Sequence, residues 1–405
     1  MSTRRLAVAL ACAALASAPH AARAQERLVG LRRVDVGPVF ERWTFGAALP
    51  QRGGDTTVQY RIASASQLSV PITAVVPLGE RWTFDLCGAY SRGTLRLDTA
   101  DARGNTRYEL AGLTDVKLRL AGRLRGDAVL LTLGANVPTG RTGLAGAEYQ
   151  ALRVLAAPAL RFQTTALGGG FGATTGLVLA RQVAGWAWAL GASYEVRGSY
   201  SPVDAQLLGV GADELNPGDV LHLSVGSDGL VGPHRASLAL SADVYGADRL
   251  TMRDATTDST RAAGYRLGPV LTAEWQMQLA ARGFRELSLY VADRYRMKFT
   301  RPDGSAAAGS SGHELDAGLL GTIPWTRALA VVVGLDGRYH TGLAVDNSVA
   351  TAAFASGGGT LGLAWGAGAA TLTPYVRAQA GTIDTGGFST SALGLSGGIT
   401  LGTRF

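Results

Sequence analysis

The chain has 405 residues with 55 glycines, 17% charged residues and a formal net charge of +7. A hydrophobic share of 47% excludes a disordered polymer, and glycine at this level excludes a coiled coil or helical bundle. Beyond residue 24 no aliphatic run of about 20 residues is long enough for a membrane helix. The basic excess is spread along the chain, so no nucleic-acid partner is expected.

Residues 1–24 are typical of a secretory signal peptide. Two arginines precede a short apolar segment, Leu6–Ala18, and Ala22-Arg23-Ala24 is an A-x-A cleavage site. The alternative, a membrane anchor, is disfavoured because the apolar segment is too short to span a bilayer. Cleavage near Ala24 leaves Cys87 as the one cysteine, which excludes an intramolecular disulfide.

From residue 34 onward the dominant pattern is a two-residue alternation of apolar and polar side chains, the period of a β-strand with two different faces. It is clearest over 113–124 and recurs at 129–137, 186–197, 237–244, 286–299 and 329–338. Asp293 interrupts the apolar face of its strand, whereas Pro38 and Pro71 blur the first two strands.

The links between these segments alternate in length. Short links fall near residues 79, 126, 184, 232, 281, 325 and 367, and longer polar links near 49–57, 98–111, 139–160, 199–218, 247–262, 300–312, 341–356 and 383–389. Short turns at one end and long loops at the other predict an up-and-down meander. The count is about sixteen strands, with fourteen to eighteen as the range.

Strands with one apolar and one charged face fit either a soluble sandwich or a transmembrane barrel. Strand length and the lack of a disulfide favour the barrel, as do aromatic residues at the strand ends. These are Trp82, Trp186 and Trp325 beside short links, and Tyr90, Tyr245, Tyr295 and Tyr339 toward long ones. The predicted fold class is all-β, a transmembrane up-and-down antiparallel β-barrel over 34–405 that follows a short periplasmic segment, 25–33.

The last strand alternates up to a terminal aromatic residue, through Leu393, Leu395, Gly397, Ile399, Leu401 and Phe405. It resembles the closing strand of Gram-negative outer-membrane barrels, whose final aromatic residue is read by the insertion machinery. The resemblance implies that Leu401 and Phe405 form a barrel-insertion signal. It also implies the cell outer membrane as location, with membrane lipid and the barrel-assembly machinery as partners.

Two segments, Leu113-Thr114-Asp115-Val116-Lys117-Leu118 and Leu133–Gly140, resemble the hydrophobic-compound channels among these barrels. These are the long-chain fatty acid transporter type and the outer-membrane proteins encoded with phenol meta-cleavage pathways. The resemblance implies a non-enzymatic channel for passive uptake of small hydrophobic or amphipathic compounds. The N-terminal plug of the fatty-acid transporters is not expected, because only residues 25–33 precede the first strand. A general polar porin and a structural or binding barrel with a closed lumen remain the alternatives.

The long link 141–160 has helical spacing of apolar residues at Tyr149, Leu152 and Leu155. We expect a surface helix at the tip of this loop. The alternative is a segment folded into the mouth of the barrel, where it would narrow the lumen.

Few residues suggest chemistry. His222 and Ser224 resemble part of an outer-membrane phospholipase site, but no asparagine follows on the next strand, so catalysis is not expected. The histidines lack metal-ligand spacing. Gly357-x-Gly359-x-x-Gly362 matches a dinucleotide loop but leads into a strand instead of a helix. No metal or cofactor is expected.

Charged residues opposite the apolar positions are expected to line the lumen. They are Asp115, Lys117, Arg119, Arg123, Glu195, Arg197, Glu274, Glu286, Arg294, Arg296, Lys298, Asp316, Asp336, Arg338 and Arg377. Both signs occur, so no ion preference follows. The charges either brace the wall as ion pairs or line a path for solutes.

Overall fold

The computed structural model describes residues 33–52, 59–99, 106–125, 128–202, 210–254, 259–301, 303–307, 309–342, 353–384 and 389–404. The signal peptide, almost all of segment 25–33 and Phe405 lie outside the described residues. No helix in the described part of the chain is long and apolar enough to cross a membrane.

The described elements are twenty-one strands and one helix. They are β1 (Arg33–Val36), β2 (Val39–Arg52), β3 (Gln59–Leu78), β4 (Trp82–Thr99), β5 (Thr106–Leu113), β6 (Val116–Leu124), β7 (Val129–Val137), α1 (Gly146–Leu155), β8 (Gly172–Val183), β9 (Trp186–Arg197), β10 (Val210–Asn216), β11 (Val220–Val231), β12 (His234–Tyr245), β13 (Ala247–Asp254), β14 (Thr260–Arg266), β15 (Val270–Gln278), β16 (Glu286–Arg296), β17 (Gly312–Pro324), β18 (Leu329–His340), β19 (Ala353–Ala367), β20 (Ala370–Asp384) and β21 (Ser389–Arg404).

Eighteen of these strands form one antiparallel sheet that closes on itself. β1 and β2 both pair with β3 on one side and with β21 on the other, so they are two halves of one barrel strand. β5 and β6 both pair with β4 and form a second interrupted strand. The barrel therefore has sixteen strands, and the predicted fold class and strand count are confirmed.

The two prolines that blur the sequence pattern lie at one place in the barrel. The first barrel strand breaks at Gly37 and Pro38, between β1 and β2. Pro71 of β3 faces this break, and its carbonyl accepts the Gly37 N–H at 3.3 Å. Proline cannot donate to a strand ladder, so a break is where a sheet tolerates it.

Short turns lie at one end of the barrel and long links at the other, as predicted. Arg33 pairs with Arg404 and with Val75, so the first and last strands begin and end on the short-turn side. Two long links contain strands outside the barrel sheet, in 199–218 and 247–262, and barrel strands also extend into the predicted links 49–57, 98–111 and 341–356. β10, β13 and β14 form a separate three-stranded sheet, which pairs backbone groups that a polar loop would leave to water.

The outer face of the barrel is apolar. Leu190, Leu335 and Leu361 are more than half exposed, and each alternates with an inward neighbour along its strand. A soluble protein seldom exposes so continuous an apolar surface, whereas lipid contact requires one. The exterior is therefore that of a transmembrane barrel.

Candidate functional site

The link between β7 and β8 folds into the barrel. Gly93 and Leu95 of β4 share a strand face with Asp85, whereas Tyr90 and Arg92 occupy the exposed outer face. α1 packs on the inner face, where Leu155 is 1% exposed. A Cβ on Gly93 would lie 2.2 Å from Leu155 Cδ1, so any larger residue would displace the leucine from its present position.

The expectation of a surface helix is therefore wrong, and the inward alternative is the observed one. The apolar side of α1 finds buried apolar partners inside the wall, at Leu95, Leu97 and Leu110. The outer wall at this height carries exposed arginines instead. Burial of an apolar helix face is favourable only on the inside.

Asp115 joins the two ends of this loop. Its Oδ1 accepts the Gly140 N–H at 2.9 Å, and its Oδ2 accepts the Gly169 N–H at 2.7 Å and the Asn136 amide at 2.9 Å. The Asp115 N–H donates to Leu167 O at 2.9 Å. This carboxylate, predicted to line the lumen, therefore holds the stem of the loop.

After α1 the loop crosses the interior beside the first two barrel strands. Trp43 Nε1 donates to Leu160 O at 2.9 Å. The Gln67 side chain, 2% exposed, forms a reciprocal pair with Thr164: its amide donates to the carbonyl at 2.7 Å, and its oxygen accepts the N–H at 2.8 Å. These bonds satisfy backbone groups of the loop that would otherwise be buried against the lumen wall without a hydrogen-bond partner.

Arg161 connects the loop to the opposite wall of the barrel. Its guanidinium contacts the carboxylate of Asp316 on β17, and Arg338 Nε lies 3.6 Å from the other oxygen of that carboxylate. Arg161 adopts a φ of +52°, which costs a non-glycine residue free energy. Burial lowers the pKa of the Arg161 guanidinium from its ordinary value. The contact with Asp316 therefore has two unfavourable components, the strained backbone of Arg161 and the desolvation of its guanidinium.

Most other predicted lumen arginines form ion pairs between strands. The pairs are Arg119 with Asp85, Arg377 with Asp336, and both Arg294 and Arg296 with Glu314. Sequence reasoning missed Asp85 and Glu314, although each stands on the inward face that the two-residue period defines. The period gives a residue's face but not its partner on the next strand.

Three predicted lumen charges, Lys117, Glu195 and Glu274, form no ion pair within the described residues, and they stay candidates for contact with solutes. Others lie near the ends of the barrel. Arg123 donates to Glu80 O and Arg197 to Gly218 O, whereas Glu286 and Lys298 are exposed at the two ends of β16. Leu401 faces outward on β21, opposite Val36 across the barrel closure.

His222 faces the interior and is oriented by Asp243 of β12, with 2.5 Å between Nδ1 and Oδ1. The Ser224 hydroxyl lies instead toward Gly191 of β9, since a Cβ there would be 2.5 Å from its oxygen. The two side chains therefore face different neighbouring strands, His222 toward β12 and Ser224 toward β9.

No protein family matches the chain, and no curated protein matches it. Among solved structures it is similar to OprB of Pseudomonas putida, at 12% identity over 93% of this chain and 94% of that one, with a TM-score of 0.44. It is also similar to OmpT, an outer membrane protein of Vibrio cholerae, at 10% identity, 92% and 98% coverage and a TM-score of 0.38. A third is a variant of the TodX monoaromatic hydrocarbon channel, at 8% identity, 93% and 90% coverage and a TM-score of 0.43.

Proposed function

We propose that this barrel is a passive outer-membrane channel for small polar solutes, with its lumen narrowed by the loop that Asp115 and Arg161 anchor. The observation that carries the proposal is this loop, bonded to opposite walls beside charged side chains of both signs. A narrowed, water-filled opening flanked by charges discriminates by size and weakly by charge.

Hydrophobic uptake, the expectation from the motif, is less well supported by the interior. Three large inward apolar side chains, Trp43, Leu95 and Phe354, are at most 3% exposed because they pack on the loop or on each other. These three side chains offer no free apolar surface to a ligand. On β9, β11 and β12 the inner wall instead presents small residues such as Gly191, Ser224 and Ser241.

Planar-bilayer recording of the purified protein tests the proposal. We expect steady, ohmic conductance in KCl that neither toluene nor a long-chain fatty acid blocks. Fatty-acid binding without conductance would favour hydrophobic uptake. The absence of both conductance and binding would favour a closed structural barrel.

A lumen charge supplies the matched comparison. Lys117→Gln removes an unpaired inward cation, and we expect the reversal potential in a salt gradient to shift toward cation selectivity. Arg181→Gln removes an exposed arginine near the short-turn end and is expected to leave it unchanged. Equal behaviour of the two variants would argue against Lys117 as part of the solute path. The insertion signal at Leu401 and Phe405 and the cleavage site near Ala24 belong to the same proposal.

A further inference from the structure

Arginines gather on the outer wall directly beyond the apolar surface of β2–β5. The exposed apolar residues there are Phe40, Leu68, Tyr90 and Leu113. Continuing toward the long loops, four outward arginines follow among the described side chains of these strands, here called the basic patch: Arg42, Arg92, Arg96 and Arg107. The patch thus lies where the membrane-facing surface gives way to charged residues.

The charges within the basic patch are not balanced. Glu109 accepts from Arg92 at 2.8 Å and from Arg107 at 2.6 Å, and Asp98 is the other carboxylate among the described side chains of this surface. Arg96 stands directly opposite Arg107 in the β4–β5 register. Like charges in this position repel, so an anion from outside the chain would stabilise the pair.

The four arginines of the basic patch lie close together on neighbouring strands, whereas the exposed charges on the far side of the rim carry both signs and include Arg266 and Arg301. On the far side, outward carboxylates occur at comparable places on their strands. Tyr194 donates to Asp219 at 2.6 Å, and Asp293 pairs with His313 at 2.9 Å.

The chemistry of the patch selects phosphate. Guanidinium groups bind phosphate oxygens in a two-pronged geometry that ammonium groups cannot match. At about 3.3 Å per residue, Arg92 lies roughly 7 Å and Arg96 roughly 20 Å along β4 from Tyr90. This span covers the depth of a lipid headgroup and its first sugars.

We propose that the basic patch binds the phosphate groups of the phosphorylated glycolipid in the outer leaflet, lipopolysaccharide. The inference rests on the outer-membrane placement proposed above. It concerns the exterior of the barrel alone, so channel conductance and lipid binding can succeed or fail separately.

Binding of lipid A to the purified full-length barrel in detergent tests the proposal, with native mass spectrometry as readout. The probes are bisphosphorylated lipid A and the same lipid after enzymatic dephosphorylation. The test variant combines Arg92→Gln, Arg96→Gln and Arg107→Gln, and the control combines Arg181→Gln, Arg282→Gln and Arg327→Gln. The control arginines are exposed near the short-turn end, and their replacement makes the same change in net charge.

We expect the test variant to bind bisphosphorylated lipid A on the order of 100-fold more weakly than the wild type, with the control within about threefold. Dephosphorylation of the lipid should weaken wild-type binding to a similar degree. Equal binding by both triple variants, or wild-type binding that ignores the phosphates, would overturn the proposal. Heat-modifiable gel mobility verifies folding, and Arg96→Gln alone, expected to weaken binding about fivefold, serves if the triple variant does not fold. Conductance of each variant is recorded separately, so a barrel that conducts without binding lipid A refutes only this inference.

Discussion

Replacing Asp115 by alanine tests whether one carboxylate holds the interior loop in place. The change removes the acceptor of three hydrogen bonds of 2.7–2.9 Å, two of which come from the backbone at opposite ends of the loop. A hydrogen bond to a charged group contributes about 1.5–3 kcal/mol, and water entering the stem recovers part of it. A loss on the order of 4 kcal/mol in the free energy of stem opening follows.

This loss corresponds to roughly 1000-fold faster amide exchange in the segments 138–145 and 165–171. Hydrogen-exchange mass spectrometry of the purified barrel measures it directly. In bilayers the same variant should show frequent conductance steps above the wild-type level, because a loosened loop leaves more of the lumen open. Barrel strands far from the stem should keep their protection.

Asp85→Ala is the matched control. It also removes an inward carboxylate, but one that pairs with Arg119 and does not touch the loop. Stem exchange within tenfold of wild type in Asp115→Ala, or an equal acceleration in Asp85→Ala, would refute the anchoring role.

Three further changes probe the rest of the loop. Leu155→Ala, at a side chain 1% exposed, should lower the free energy of loop opening by about 2–5 kcal/mol, measured as exchange across 146–155. Gly140→Ala places a Cβ 2.1 Å from Leu167 O, so exchange in the stem should accelerate at least as much as in Asp115→Ala. Arg161→Gln removes the charge facing Asp316, and single-channel conductance should rise while the barrel stays folded.

Each of these three variants has its own control or an outcome that would contradict the prediction. Leu190→Ala shortens an outward leucine. If amide exchange in α1 is as fast in this variant as in Leu155→Ala, the effect is global. Gly79→Ala alters a turn glycine far from the loop and should leave the stem unchanged. Conductance unchanged in Arg161→Gln would show that the contact with Asp316 does not set the opening.

The sequence predicts the barrel because its signals are local. A two-residue period assigns faces within each strand, and turn residues mark the links, so strand number follows without knowing any distant contact. Asp293 breaks the outward apolar face, and only its contact on the neighbouring strand explains why. Its carboxylate pairs with His313, whose ring lies 4.6 Å from that of Tyr295.

The position of the interior loop could not be predicted from local sequence patterns, for a physical reason. The spacing of Tyr149, Leu152 and Leu155 predicts a helix but not the surface that its apolar side will meet. That surface is formed by inward leucines some 45–60 positions earlier, and Arg161 finds its partner 155 residues away. Likewise, the alternation assigns Asp115 to the inward face, but only the closed barrel brings Gly140 and Gly169 to its oxygens.

Closure through β1, β2 and β21 also means that the barrel cannot be completed until its last strand is in place. The strand that seals the cylinder pairs residues 33–45 with 392–404, nearly the whole chain apart. Until the last strand arrives, the growing sheet has two unsatisfied edges, each a template for pairing with other chains. Contacts this distant in sequence form slowly. The chain therefore needs its edges shielded between synthesis and insertion, and a fragment that ends before β21 is expected to aggregate instead of folding.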